Sequence, residues 1–340
     1  MKGAKILFRI EANNRVGMGH LMRCLALTEA LVSEGMSVSF LLSEYCKKFC
    51  ESILSNYELE GHYLLGIDVG GATDIAETFR YFSFFEMDFL IIDGYDFGET
   101  FQKGIRNYGV LTMVFDDYNY CGKFHADIIL NQNFSGKTEE YQDSNSELLV
   151  GPSYCILRNE FLFSNKVEKK SQKDILLLSF GGSDKKNYTL KILEKVVENN
   201  LDIQLHIVIG SANLNSEAIK SYCKRTIGNE YFIHHPSNEM AHLISLSDYC
   251  IFAGGSSVYE VIYFKKPAMF IATANNQRPN LKWIKENTDY VVLLDSEEFE
   301  NGFDIGFNNL MEKKSSDCRL VDGKGKYRIV ERIKSKLEIK

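Results

Sequence analysis

The chain is 340 residues long, more than one ordinary hydrophobic core holds, and at roughly 100–200 residues per domain it implies two domains. Hydrophobic residues make up 45% and charged residues 25%, which excludes extended disorder, and 4 Pro beside 25 Gly excludes collagen-like and proline-rich architectures. A net charge of −7 argues against a general nucleic-acid or anionic-membrane binder but leaves room for a local phosphate site made of backbone N–H groups.

Short apolar runs recur with room for one helix between them. In the first half they fall at 4–10, 38–42, 88–93, 111–117 and 126–133; in the second half at 174–182, 203–210, 249–255, 267–273 and 290–295. Near-continuous apolar strands alternating with helices predict parallel sheets covered on both faces. Leu21, Cys24, Leu25, Thr28, Leu31 and Val32 follow helical spacing after His20, with Gly35 placed as a stop. Leu190, Leu193, Val196 and Val197 repeat that spacing in the second half, and Ile329, Ile333 and Leu337 predict a terminal helix. The charged, strand-free stretch at 164–174 separates the two series. The expected organisation is a Rossmann-like domain at 1–155, a linker at 156–173, a second such domain at 174–315 and a helical tail at 316–340. Two doubly wound α/β domains would take a ligand at the carboxyl ends of their strands, in the cleft between them.

Eight cysteines are scattered without a CxxC pair, so neither a zinc site nor a disulfide framework is expected. The first residues hold too short an apolar run for a signal peptide, and no run approaches the ~20 apolar residues of a membrane span. A reducing cytoplasm is the expected compartment.

Three glycine turns at strand ends carry candidate chemistry. The first runs from Arg9 and Glu11 through Gly17 and Gly19 to His20 at a helix start. There the helix dipole favours a neutral imidazole, as a general base requires, although a histidine that only caps or packs would sit the same way. The second is Gly254-Gly255-Ser256-Ser257, whose backbone N–H groups and hydroxyls could hold an anion while Glu260 reaches a ribose; plain helix capping is the alternative. The third, Gly181-Gly182, follows another strand and allows close backbone approach, or is an ordinary loop. Asp93 and Tyr95 end one strand and Asp116-Asp117 another. Paired acids can hold Mg²⁺, but strand-end acids more often bond loops, and no metal site is predicted.

These motifs, with Leu21-Met22-Arg23-Cys24, Ile92-Asp93-Gly94-Tyr95, Phe115-Asp116-Asp117, the segment 126–133, Leu149-Val150-Gly151-Pro152 and Asn276-Gln277, recur in order along nearly the whole chain. Together they resemble the PseG family of UDP-sugar hydrolases of pseudaminic acid synthesis and the related SpsG-type polysaccharide proteins, which are similar to the GT-B glycosyltransferase MurG. The resemblance implies a GT-B-like fold with UDP held mainly by the C-terminal domain. It makes His20 the base that activates water, puts the diphosphate on Gly255-Ser256-Ser257 and the ribose on Glu260, and turns Tyr95, Asn276 and Gln277 towards the sugar. It further implies UDP-2,4-diacetamido-2,4,6-trideoxy-β-L-altropyranose as substrate, inverting C–O cleavage, and no cofactor or metal.

Glu11 stands where that family usually has Asp, and Gly94 where it commonly has His, so both departures are expected beside the sugar. A GT-B transferase using an acceptor hydroxyl in place of water, and a non-catalytic UDP-sugar binder, are the alternatives. No basic amphipathic segment suited to a lipid-linked acceptor is visible. The partner expected is a small UDP-sugar, not nucleic acid.

Overall fold

The structure, a computed structural model, describes all residues except 1–2, 13–17, 60, 143, 165–168, 170, 200–201, 228–230, 236–238, 317–318 and 340. The chain divides into two compact units, 1–159 with 322–340, and 160–321. The inner part of the expected linker, 165–168 and 170, lies outside the described residues.

The first unit contains β1 (Lys5–Ile10), α1 (Gly19–Ser33), β2 (Ser37–Ser43), α2 (Lys47–Asn56), β3 (Gly61–Leu64), α3 (Ala72–Phe84), β4 (Phe89–Asp93), α4 (Glu99–Arg106), β5 (Thr112–Phe115), β6 (Ile128–Asn131) and β7 (Glu147–Val150). Among the described residues these strands form one parallel sheet in the order β3-β2-β1-β4-β5-β6-β7. Its two faces carry separate cores: Phe8, Phe40, Leu21, Leu25 and Ile91 on one, Leu7, Leu90, Ile92, Phe97 and Phe101 on the other.

The short helical turn α5 (Asn159–Leu162) spans the division. The second unit follows with β8 (Asp174–Ser179), α6 (Tyr188–Glu198), β9 (Ile203–Val208), α7 (Ser216–Thr226), β10 (Tyr231–His234), α8 (Met240–Leu246), β11 (Tyr249–Ala253), α9 (Ser257–Tyr263), β12 (Ala268–Ala272), α10 (Arg278–Glu286), β13 (Val291–Asp295) and α11 (Phe299–Met311). Its sheet is also parallel, in the order β10-β9-β8-β11-β12-β13. Each unit is thus a doubly wound α/β sheet, whose order reverses between β1 and β4 in one and between β8 and β11 in the other.

Three strands, β3, β7 and β10, escape the apolar-run reading, and all three lie at sheet edges. An edge strand has one neighbour and leaves part of its surface in solvent, so it needs no continuous apolar run. The burial pattern agrees: most residues of these strands are only partly covered.

The last helix, α12 (Gly325–Ile339), belongs to the first unit. Ile329, Val330 and Ile333 join the core that α1 covers. Lys326 is fully buried there, its ammonium 2.7 Å from both Glu29 Oε2 and Asn159 Oδ1. Burial lowers the Lys326 pKa, and the bond and charge of Glu29 resist that shift. Lys326→Met should cost roughly 2–4 kcal/mol of stability in urea unfolding, somewhat below the range for fully buried pairs because Glu29 keeps some solvent.

In the second unit His206 of β9 stacks on His234 of β10, ring centroids 5.0 Å apart, with Nδ1 3.1 Å from its neighbour's Nε2. Burial, and then the nearby His234 and His242, push His206 down from 6.5 to about 4. The unfolded chain therefore binds this proton more readily, and the folded state loses stability as pH falls from 6.5 towards about 4. Comparing thermal midpoints of wild type and His206→Leu over that window should show a shallower fall in the variant, a difference of the order of 1–3 kcal/mol.

Candidate active site

The register of the first sheet sets Ile10 opposite Asp93 at the ends of β1 and β4. The Glu11 amide donates to the Asp93 carbonyl across that end (3.1 Å). From β1 the chain proceeds to α1, whose first turn brings His20 and Arg23 to the Asp93 carboxylate. Residues three apart share one helix face, so a single acid receives both.

Asp93 is fully buried and carries a dense set of donors. His20 Nδ1 bonds Oδ1. Arg23 Nε reaches Oδ2 at 2.7 Å and Nη2 reaches Oδ1 at 2.6 Å, with Cys24 Sγ at 3.4 Å from Oδ2. Arg23 Nη1 extends to Asp117 Oδ1 (2.7 Å), whose other oxygen accepts from the Tyr95 hydroxyl (2.7 Å). The Tyr95 and His20 rings meet edge to face at 5.0 Å, and the Phe115 ring lies 4.7 Å from the Arg23 guanidinium carbon.

Burial pushes the Asp93 carboxyl up, but the charges of Arg23 and His20 and their hydrogen bonds outweigh it and hold the group well below the usual carboxylate range. Asp117 is lowered in the same way, burial opposing and Arg23 prevailing. Burial, and then Asp117, push the Tyr95 hydroxyl far above its ordinary value, so it stays a donor. An ionised carboxylate can only accept, so the proton on the His20–Asp93 bond belongs to Nδ1. Arg23 Nη2 also lies 3.2 Å from Nδ1, but two donors cannot bond each other, and that approach is a packing contact. The lone pair of the neutral ring is then on Nε2, the atom a general base uses.

Arg9 and Glu11 lie deeper than expected of sugar contacts. Arg9 is fully buried: Nε and Nη2 bind both oxygens of Asp74 (2.9 and 2.7 Å) and Nη1 binds Glu11 Oε1 (2.8 Å). Glu11 also accepts from the Ser43 amide and hydroxyl and the Cys46 thiol. These groups compensate one another's charge in a buried network. Gly94 has a φ of +155°, and a side chain there would start 2.9 Å from the Phe97 ring and 3.5 Å from Glu11 Cβ. The two family departures therefore meet beneath the strand ends, the longer acid beside the smaller residue. Gly19 opens α1, and Gly17 lies outside the described residues.

The acid pair at β5 splits, as successive side chains of extended backbone do. Asp117 enters the site, whereas Asp116 accepts from the amides of Tyr118, Asn119 and Tyr120 and from the Tyr141 hydroxyl. Among the described residues no group of three or more His, Cys, Asp or Glu is placed to hold a metal ion.

In the second unit Gly254 ends the β11 segment and packs tightly: a Cβ there would lie 2.5 Å from Leu281 Cδ1 and 3.0 Å from Gln277 Oε1. Gly255 is open, and Ser256, preceding Ser257 at the start of α9, makes no side-chain capping bond. Glu260 is half-buried in the first turn of that helix. Gly181 and Gly182 are exposed after β8, their carbonyls against Gly210. Asn276 is exposed in a single 3₁₀ turn, while Gln277 Oε1 accepts from the Thr273 amide and hydroxyl and the Ala274 amide. The Gln277 oxygen is thus engaged in bracing the loop after β12.

The sequence assigned no role to Arg23 or Asp74, and it offered Asp117 only as half of a strand-end acid pair. Arg23 had a readable signal, its three-residue spacing from His20; Asp74 had none, because 65 residues separate it from Arg9.

No family model matches the chain. It is 26% identical over 338 residues to an uncharacterized Methanocaldococcus jannaschii protein, covering 97% of this chain and 66% of that one, slightly under two thirds of its length. It is 26% identical over 284 residues to the UDP-2,4-diacetamido-2,4,6-trideoxy-beta-L-altropyranose hydrolase of Campylobacter jejuni, covering 82% and 96%. With the spore coat polysaccharide biosynthesis protein SpsG of Bacillus subtilis it shares 25% over 276 residues, covering 78% and 76%. The resemblance read from the motifs is thus found again in these relatives. Among solved structures, MurG of Acinetobacter baumannii matches with a TM-score of 0.61 at 15% identity, covering 97% and 99%. The kitacinnamycin glycotransferase matches with 0.66 at 13%, covering 99% and 100%. The fold is the two-domain α/β fold of these GT-B proteins.

Nitrogen-15 NMR of histidine-labelled protein near pH 8 should show the His20 signal, identified by its loss in His20→Gln, as the tautomer protonated at Nδ1. A signal from the Nε2-protonated form would contradict the Asp93 geometry.

Proposed function

We propose that this chain is an enzyme acting on UDP-sugars, and specifically a hydrolase of a UDP-linked acetamido-deoxy sugar. The observation that carries the reading is the His20–Asp93 pair. A buried, ionised carboxylate fixes Nδ1–H and leaves Nε2 as a base at the start of a helix. The altropyranose hydrolase activity named for the Campylobacter relative supplies the candidate substrate, UDP-2,4-diacetamido-2,4,6-trideoxy-β-L-altropyranose.

In the reaction, Nε2 takes a proton from water as the water oxygen forms a bond to the anomeric carbon. The bond from that carbon to the phosphate oxygen breaks, its electron pair leaves with UDP, and the configuration inverts. Asp93 stabilises the imidazolium that forms. Arg23 keeps Asp93 ionised and ties it to Asp117, which holds the Tyr95 hydroxyl. In the second unit the Gly255-Ser256-Ser257 segment is assigned the diphosphate, Glu260 the ribose, and Asn276 the sugar, with Gly181 and Gly182 allowing close backbone approach. Arg9, Glu11 and Gln277 are assigned positioning roles. The described cysteines are free, which supports a reducing, cytoplasmic setting.

Proton NMR of the protein with this UDP-sugar tests the reading. Release of free sugar, first appearing as the inverted anomer, is expected. His20→Ala should lower kcat by roughly 10²–10⁴-fold and leave UDP affinity within a few-fold. Turnover that appears only when an acceptor alcohol is added would replace the hydrolase by a transferase. Loss of UDP binding in step with kcat would remove His20 from the base role.

A further inference from the structure

We propose that Tyr118 is a sugar-binding residue, a rigid aromatic platform that stacks on an apolar C–H face of the deoxy-sugar; this rests on the function proposed above. The observation is an aromatic side chain held at the rim of the catalytic cluster with nothing packed over much of it. Exposure rises outward from Asp93, which is fully buried, through His20 at 6% and Asp117 at 16% of the side chain, to Tyr118 at 48% of the residue. Its ring contacts Tyr95 at 5.2 Å between centroids, and Tyr95 is the residue packed on His20.

The loop that presents Tyr118 is pre-organised. Asp116 accepts from three successive amides, those of Tyr118, Asn119 and Tyr120. Asn119 takes a left-handed conformation (φ +56°), sparsely populated by residues other than glycine. On its far side Tyr120 turns inward and donates its hydroxyl to the Phe97 carbonyl (3.0 Å). One tyrosine anchors the loop, and the other is left facing outward in a fixed position.

Burial of an exposed Tyr against a ligand gains apolar contact at low entropy cost, since only two side-chain torsions are ordered and the backbone is already set. The group within reach of Tyr118 is decided by His20. A base that delivers water to the anomeric carbon has the sugar ring beside it, and Tyr118 is one ring beyond Tyr95. An aromatic face suits a sugar whose C6 carries no hydroxyl, because a methyl group keeps that face apolar.

The test is calorimetric titration of UDP and of UDP-2,4-diacetamido-2,4,6-trideoxy-β-L-altropyranose into His20→Ala protein, in which turnover is slowed, with the sugar-nucleotide checked for hydrolysis after each run. The same titrations follow with Tyr118→Ala and Tyr118→Phe added. The ratio of the UDP-sugar Kd to the UDP Kd should rise at least fivefold in the Ala variant and return to near its starting value in the Phe variant. A ratio unchanged by Tyr118→Ala overturns the proposal, as does equal weakening of UDP itself, which would mean stacking on the uracil. If neither wild-type nor His20→Ala protein binds UDP, the UDP-sugar reading fails and this inference with it; if both ligands bind and only the Tyr118 effect is missing, this inference alone fails.

Discussion

The Asp93 carboxylate is the constraint around which the first unit is arranged. A fully buried acid at the end of a central strand is tolerated only if it is neutral or compensated, and here Arg23 and His20 compensate it. Three parts of the chain must agree for that to happen: β1 and β4 in register, the first turn of α1 over the strand ends, and Asp117 at the end of β5. Each is set by the parallel order β1-β4-β5. The same arrangement gives His20 its tautomer, so the ionisation of the acid and the orientation of the imidazole have one source.

Beneath this layer the Arg9–Asp74–Glu11 network supports the β1 end from below. Glu11 links the layers twice, by its side chain to Arg9, Ser43 and Cys46 and by its amide to the Asp93 carbonyl. Glu11 and Gly94 therefore bear on the site through the backbone that carries Asp93. The Phe97 ring fills the space a side chain at 94 would need, while the Glu11 carboxylate turns away to Arg9, Ser43 and Cys46.

Much of the architecture was legible from the amino acids. Buried strands are apolar at every position because helices cover both faces, so the central strands stood out, as did the α1 and α6 helices with their 3.6-residue apolar rows. Edge strands β3, β7 and β10 did not, because half-solvated strands carry mixed residues. Glycine turns at strand ends pointed to His20 and to the 254–257 segment, and at Gly254 the residue type reflects close packing, since a Cβ there would lie 2.5 Å from Leu281 Cδ1.

What the sequence determined by itself was the sheet class, the two-unit organisation and the presence of a histidine at the first strand-to-helix turn, since these follow from local periodicity and from glycine. Only the tertiary structure decided the partners. Asp93 lies 73 residues from His20, Asp117 94 residues from Arg23, and Lys326 297 residues from Glu29. No local pattern encodes such pairings, because they arise from strand order and from the return of α12 to the first unit. An acid in a sequence is only an acid; the donors that fold around it decide whether it braces a loop, as Asp116 does, or orients an imidazole, as Asp93 does.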